Sequence, residues 1–212
     1  MTHDSAVPFT PTADDLNQAH MEFERNEPPS LFYKAAIELV GLALEQKTKL
    51  TVAEAIAVLL QTWNASYYRF RKFTDEHFCD IESLWRTHRD VLEGFRARDI
   101  CGLSDSDQPL ATATFGEFAR LLGPVGGAKA LHLLAPGFFP LWDNRIAARG
   151  YQLPLGSGRP STDSYWRFML KVQAQCQQIR WSEVTAPHGR LKALDEYNYI
   201  KYTWSQRQRT AG

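Results

Sequence analysis

The stretch Phe115 to Arg149 reads FGEFARLLGPVGGAKALHLLAPGFFPLWDNRIAAR, and the order of its features decides the fold. A helix runs into a glycine-rich hairpin. A second helix follows, then a proline-bounded loop, then an Asp that opens a third helix. Gly123, Gly126 and Gly127 permit positive φ and close backbone approach. Pro124 removes one donor and stiffens the turn. A helix restarting at about Ala128 leaves its first N–H groups unpaired, which suits an anion such as a phosphate. The same glycines would equally serve a tight αα-hairpin that needs only close helix packing. Asp143 follows the rigid, apolar FFPLW and precedes NRIAAR, which makes it a natural N-cap. Two roles are open to it: a cap alone, or a cap that also holds a carboxylate near the hairpin.

Working outward, the rest of the chain also reads as helical. Asp14 and Asp15 cap a helix to about Arg25, and another follows Pro28-Pro29-Ser30 with Leu31, Ala35, Leu39 and Leu42 on one stripe. Thr51 and Glu54 form a capping box for VAEAIAVLLQTW, and ASYYRFRKF continues or restarts that helix. A longer amphipathic stretch covers about Asp80 to Ile100, with Ile81, Leu84, Trp85, His88, Leu92 and Phe95 at helical spacing. Residues 102–110 read as a loop, and Thr114 with Glu117 as a second capping box before a short helix over 115–122. Gly150 to Ser161 is the clearest linker. Thr162 or Asp163 caps a helix to about Arg180, and a last helix covers roughly 189–200. Windows of period 2 are few, so the fold class expected is all-α. The expected organisation is a flexible tail over 1–13, a helical lobe from 14–50 plus 150–212, and a second lobe over 51–149 carrying the hairpin (115–135) and Asp143, with a cleft between them. Trp85 and Trp166 read as core.

Composition narrows the function classes. With 44% apolar and 23% charged residues, the chain matches an ordinary globular protein. No apolar run approaches the length of a membrane span, and MTHDSAVPFTPTADD lacks the regions of a signal peptide; a cytoplasmic protein with no membrane partner is expected. The three cysteines, Cys79, Cys101 and Cys176, are too scattered for a disulfide framework or a Cys-ligated metal. The histidines form no ligand motif; His77 and His88 could share a helix face but read as ordinary residues. No metal and no cofactor are expected. The zero net charge hides an asymmetry: residues 1–119 carry 11 Lys/Arg against 19 Asp/Glu, and residues 120–212 carry 13 against 5. A basic half that begins at the hairpin is compatible with a nucleic-acid groove, or with charges scattered around the surface.

The hairpin and the aspartate together resemble the helix–hairpin–helix DNA glycosylase superfamily. Its signature is a hairpin of the form L-P-G-V-G-x-x-x-A, a helix, and an Asp at the start of a following helix. Leu122, Val125, Gly126 and Ala130 fit that hairpin, with Gly123-Pro124 in swapped order. FPLWDNRI (139–146) looks like the Asp-bearing segment of the adenine glycosylase branch, and LLQTW (59–63) is similar to the Gln-Thr segment that helps line the base pocket. The chain departs from the pattern in four ways. The hairpin-to-Asp stretch is shorter, the upstream Gln pair is reduced to Gln61, and the iron–sulfur cysteines of some branches are missing. Ala128 occupies the position of the lyase-type lysine, which Lys129 reaches only with a one-residue insertion.

The resemblance implies a two-lobed helical fold and a monofunctional enzyme that hydrolyses the N-glycosidic bond of a damaged or modified base in double-stranded DNA. Asp143 would stabilise the oxocarbenium and orient water, with Lys129 as the other catalytic residue. Gly123, Val125, Gly126, Gly127, Lys129 and Arg145 would hold phosphates. Gln61, Trp63, Asn64, Tyr67, Tyr68 and Trp142 would receive the flipped base, although such aromatics also read as core. The C-terminal LDEYNYIKYTW either flanks a nucleic-acid groove or packs Tyr197, Ile200 and Trp204 onto the body. Two other readings stand beside the enzyme: a non-catalytic DNA-binding helix–hairpin–helix module, and a structural helical domain for protein interaction.

Overall fold

The computed structural model describes residues 9–26, 30–69, 72–153 and 161–204, and among these there is no strand. The all-α expectation is therefore met. Residues 1–8 of the expected tail and 154–160 of the expected linker lie outside the described residues. Phe9 and Thr10 are tied to the body: Gln175 Nε2 donates to the Phe9 carbonyl (2.9 Å) and Thr10 Oγ1 to Gln178 Oε1 (3.1 Å).

Helix α1 (Ala13–Asn26) is capped by Thr12 rather than by Asp14 or Asp15. Thr12 Oγ1 accepts the Asp15 N–H at 3.1 Å, and Asp15 Oδ2 accepts the Thr12 N–H at 2.8 Å, so Asp15 completes a capping box. Helix α2 (Ser30–Leu44) is apolar nearly all round, so periodicity alone selects the wrong stripe. Tyr33, Ala36 and Val40 are buried, whereas Leu31 is 65% exposed and Leu42 38%. Helix α3 (Val52–Trp63) starts at the expected Thr51–Glu54 box and packs along α2. A single turn, α4 (Ala65–Tyr68), follows.

The stretch expected over 80–100 is two helices, α5 (Asp75–Thr87) and α6 (Arg89–Arg96), broken at His88 (φ −103°, ψ 9°). Ile81, Trp85, Leu92 and Phe95 are all buried, so the apolar face continues across the break. The loop expected over 102–110 is corrected as well. A 3₁₀ turn at Asp105–Asp107 leads directly into α7 (Gln108–Leu134), with Pro109 in its first turn where no N–H is needed. Thr114 is buried mid-helix and caps nothing, and Glu117 Oε2 pairs with His88 Nε2 at 2.9 Å. Asp107 organises this start: it accepts from Arg98 at 2.7 and 2.8 Å and from the Ser104 N–H at 2.9 Å. The Arg98 guanidinium holds its carboxyl down to about 2.

Helix α7 is a hairpin of two helices joined at Gly123, whose φ of 71° and ψ of 159° are not helical. A Cβ on Gly127 would stand 2.8 Å from Ala119 N and 2.9 Å from Phe118 C. Along one straight helix those residues would be about 12 Å apart, so the chain doubles back on itself. Gly127 is small because its backbone lies against the first helix, which is the packing role open to the hairpin glycines.

Beyond the hairpin come α8 (Asn144–Gly150), α9 (Thr162–Gln178) and α10 (Arg190–Tyr199), then one π turn over Ile200–Trp204. Ser161, not Thr162 or Asp163, caps α9. The loop between the hairpin and α8 is pinned at two consecutive carbonyls. Tyr165 stacks on Phe115 with ring centroids 3.9 Å apart, and its hydroxyl donates to the Pro140 carbonyl at 2.9 Å. His132 Nδ1 bonds the Phe139 carbonyl at 2.8 Å. A carbonyl can only accept, so Nδ1 carries the proton and Nε2 accepts the Tyr33 hydroxyl at 2.9 Å. Burial pushes His132 down to about 4, keeping it neutral. Trp85 and Trp166 are core, as expected, and Tyr197 is buried with Ile200 packed beside it. Helix α10 packs against α1 and α8, and Tyr202 of the π turn lies against Gly150, which brings the C-terminal segment up to the Asp143 loop. No helix among the described residues is long and apolar enough to cross a membrane.

Candidate functional site

Asp143 is the N-cap of α8: its Oδ1 accepts the N–H groups of Arg145 (2.8 Å) and Ile146 (3.1 Å). Both bonds fall on one oxygen. The cap therefore leaves the other carboxylate oxygen uncommitted on a half-buried residue that lines a cavity of about 460 Å³. That volume falls in the range of small-molecule sites, about 300–1,000 Å³.

Lys129 enters the same cavity from the second hairpin helix. Its ammonium donates to the carbonyl of Trp63, the last residue of α3. Burial pushes the amine down to about 8, partly opposed by the carboxylates of Asp195 and Asp143. Trp63 and Trp142 supply aromatic walls, the first stacked on Tyr33 at 5.7 Å and the second held by a 2.8 Å bond from Nε1 to Asn144 Oδ1. Asn64, buried, and Val125 line it as well, and the exposed Arg145 stands at its edge.

The expected site residues thus divide. Asp143, Lys129, Trp63, Asn64, Trp142, Val125 and Arg145 meet in one cavity. Gln61 is exposed and is not among the residues lining it. Tyr67 and Tyr68 line a separate pocket of about 250 Å³ with Lys72, Thr74 and His77. Tyr68 is there stacked on Phe73 at 4.3 Å. Gly123 turns the hairpin against Tyr67, and a Cβ built on Gly126 would stand 3.1 Å from the Asn64 amide nitrogen. Among the described residues no group of His, Cys, Asp or Glu is arranged to hold a metal ion.

Seven further residues line it that were not among the expected site residues: Phe23 of α1, Thr62 of α3, Leu141 and Ile146 on either side of Asp143, and Asp195, Tyr199 and Thr203 from the C-terminal segment, of which Asp195 is an acidic group that only the fold could bring to Asp143. Burial raises the Asp195 carboxyl above its ordinary range, against the pull of Lys192. Lys192 is itself 1% exposed, 3.1 Å from Asp195 Oδ2 and 3.3 Å from Glu196 Oε1, under the rings of Phe23, Tyr33 and Trp63. Glu196 Oε2 in turn meets His20 Nδ1 at 2.8 Å. A chain of alternating charges therefore runs from the cavity wall to the half-buried His20. One signal for it existed: Lys192, Asp195 and Glu196 sit at helical i, i+3, i+4 spacing among apolar residues, where charges are buried only in pairs.

The arrangement can place an anionic oxygen beside a developing positive charge and present an amine in the same cavity, with Trp63 on its wall and Trp142 buried behind it. Comparison with protein-family models, with curated proteins and with solved structures finds no match to this chain.

Proposed function

We propose that the chain is a DNA glycosylase of helix–hairpin–helix type, hydrolysing the N-glycosidic bond of a damaged or modified base. The observation that carries this reading is the meeting of Asp143 and Lys129 in one aromatic-walled cavity directly behind a sharp glycine hairpin. As the bond breaks, the base leaves with its electron pair and the sugar takes on oxocarbenium character. The Asp143 carboxylate stabilises that charge, and water adds at C1′ and gives up a proton. The base reaches such a cavity only when flipped out of the stack. The hairpin turn and Arg145 hold the backbone phosphates without reading sequence. The basic balance of residues 120–212 favours the same partner.

The test is base release from duplex oligonucleotides carrying a panel of modified bases, wild type beside Asp143→Asn. Release by wild type alone supports the enzyme. Salt-sensitive binding with no release on any substrate moves the reading to a DNA-binding module, and neither release nor binding overturns both.

One observation favours a variant of this chemistry. An amine that titrates near 8 has a neutral fraction near neutrality, and the neutral form is a nucleophile. Lys129 would then attack C1′ itself, displace the base, and form an imine after the sugar ring opens. Borohydride would reduce that imine to a permanent protein–DNA link, whereas the water mechanism leaves nothing to trap.

A further inference from the structure

The acidic partner that Asp143 lacks nearby in sequence arrives through the fold. Asp195 on α10 lines the cavity with Asp143 and Lys129, and its carboxylate acts on the Lys129 amine across it. Its Oδ2 is anchored at 3.1 Å by Lys192, whose ammonium is sealed beneath three aromatic rings and held from behind by Glu196. A carboxylate braced in this way cannot swing out to water. Thr203, 4% exposed on the same wall, has a buried hydroxyl oxygen with no hydrogen-bond partner. The C-terminal segment therefore contributes polar groups to the cavity wall besides tying down the chain end.

We propose that Asp195 is a positioning residue of this site: anchored by Lys192, its carboxylate is the fixed counter-charge of the Lys129 ammonium within the cavity. This rests on the glycosylase reading for its purpose, but not for its physics. The charged groups around Lys129 are Asp143 from the loop before α8, Asp195 and Lys192 from α10, and Arg145 on α8 at the cavity edge. The two carboxylates hold the proton on Lys129, and Lys192 opposes them. Removing the Asp195 charge takes away one attraction and leaves Lys192 paired with Glu196 alone, so both changes drive the proton off Lys129. With the charge in place Lys129 is a cation at neutral pH, suited to a phosphate or a departing base. Without it a larger share of Lys129 is the neutral, nucleophilic amine at the same pH.

The experiment is competitive acetylation with acetic anhydride across pH 6 to 11, with the Lys129 peptide read by mass spectrometry, in wild type, Asp195→Asn, Asp195→Ser and Asp195→Glu. Only the neutral amine reacts, so the midpoint reports its protonation without any DNA. The midpoint is expected to fall by about one pH unit in the Asn and Ser variants and to stay near wild type in the Glu variant. An unchanged midpoint in either folded neutral variant overturns the proposal. So does failure of both neutral variants to fold while the Glu variant folds, which would assign Asp195 to stability. Base release is measured separately. A shifted midpoint with no release on any substrate counts against the glycosylase reading alone, and release with an unshifted midpoint counts against the role of Asp195 alone.

Discussion

Lys129 donates its ammonium proton to the carbonyl of Trp63, across the junction between the second hairpin helix and the C-terminal end of α3. That carbonyl belongs to the last turn of a helix, where C=O groups lack intrahelical partners and carry partial negative charge. The bond joins the hairpin to the aromatic wall of the cavity and keeps the amine from folding back along its own helix. With the Asp195 and Asp143 carboxylates, it opposes the burial that otherwise drives the amine toward neutrality.

Removing that amine should therefore stabilise the protein while disabling the site. Lys129 has a folded-state value below that of the unfolded chain, so the unfolded state holds the proton more tightly. The penalty is fully present below about pH 8 and fades as pH rises from there toward 10.5. Lys129→Met is expected to show a higher urea midpoint than wild type at pH 7, with the gap shrinking at pH 10. A lower midpoint at pH 7 would show that the Trp63 bond outweighs the burial.

Asp143→Asn keeps the cap, because Asn is as good an N-cap as Asp. Its melting temperature should stay within about 2 °C of wild type. Single-turnover base release should fall by about 100-fold or more, the scale of losing one electrostatic stabiliser of a transition state. Equal release rates would remove Asp143 from the mechanism.

The hairpin glycines can be separated by substitution. Gly127→Ala places a methyl group 2.8 Å from backbone atoms of the first helix and is expected to cost about 1–3 kcal/mol in chemical denaturation. Gly41→Ala, on α2 with nothing within 4 Å of the new Cβ, should instead stabilise by about 0.5–1 kcal/mol. Equal effects at the two positions would contradict the close packing of the hairpin.

Arg145 is exposed at the cavity edge and makes no part of the core. Arg145→Ala should leave stability unchanged, weaken duplex binding uniformly across sequences, and reduce the slope of log affinity against log salt by about 1. Fluorescence anisotropy at three salt concentrations would show it, and an unaltered slope would place the DNA elsewhere.

Acid stability should fall in two windows. His132 is buried and neutral with its folded value pushed to about 4, so its contribution is whole above pH 6.5 and is lost as pH falls from 6.5 to 4. Asp107, held to about 2 by Arg98, contributes above 3.8 and loses that contribution between 3.8 and 2. Denaturant midpoints from pH 8 to 2 should show the upper window disappear in a folded His132→Gln variant while the lower one stays.

The helical class, the hairpin, the Thr51 cap and the Asp143 cap were legible because each depends on residues within a few positions of one another. Glycine spacing, an N-cap followed by a helix former, and a 3-4 apolar pattern are local signals. The same reasoning misassigned the buried face of α2, where Tyr33, Ala36 and Val40 point inward and Leu31 does not. A helix apolar on every side carries no periodic mark of which side its neighbours cover. It also missed the start of α7, since a 3₁₀ turn organised by the Arg98–Asp107 pair reads as a polar loop.

An all-helical chain, a glycine-turned hairpin and an aspartate capping the helix after it follow from residue order alone. It takes the packed fold to bring Lys129 into one cavity with Asp143, to keep Gln61, Tyr67 and Tyr68 out of it, and to bring Asp195 and Thr203 in. The reason is physical. Backbone preference and capping act over a single turn. Which side chain of a helix faces a cavity is set by how whole helices pack, and that packing joins Trp63, Lys129, Asp143 and Asp195 from four separate stretches of the chain.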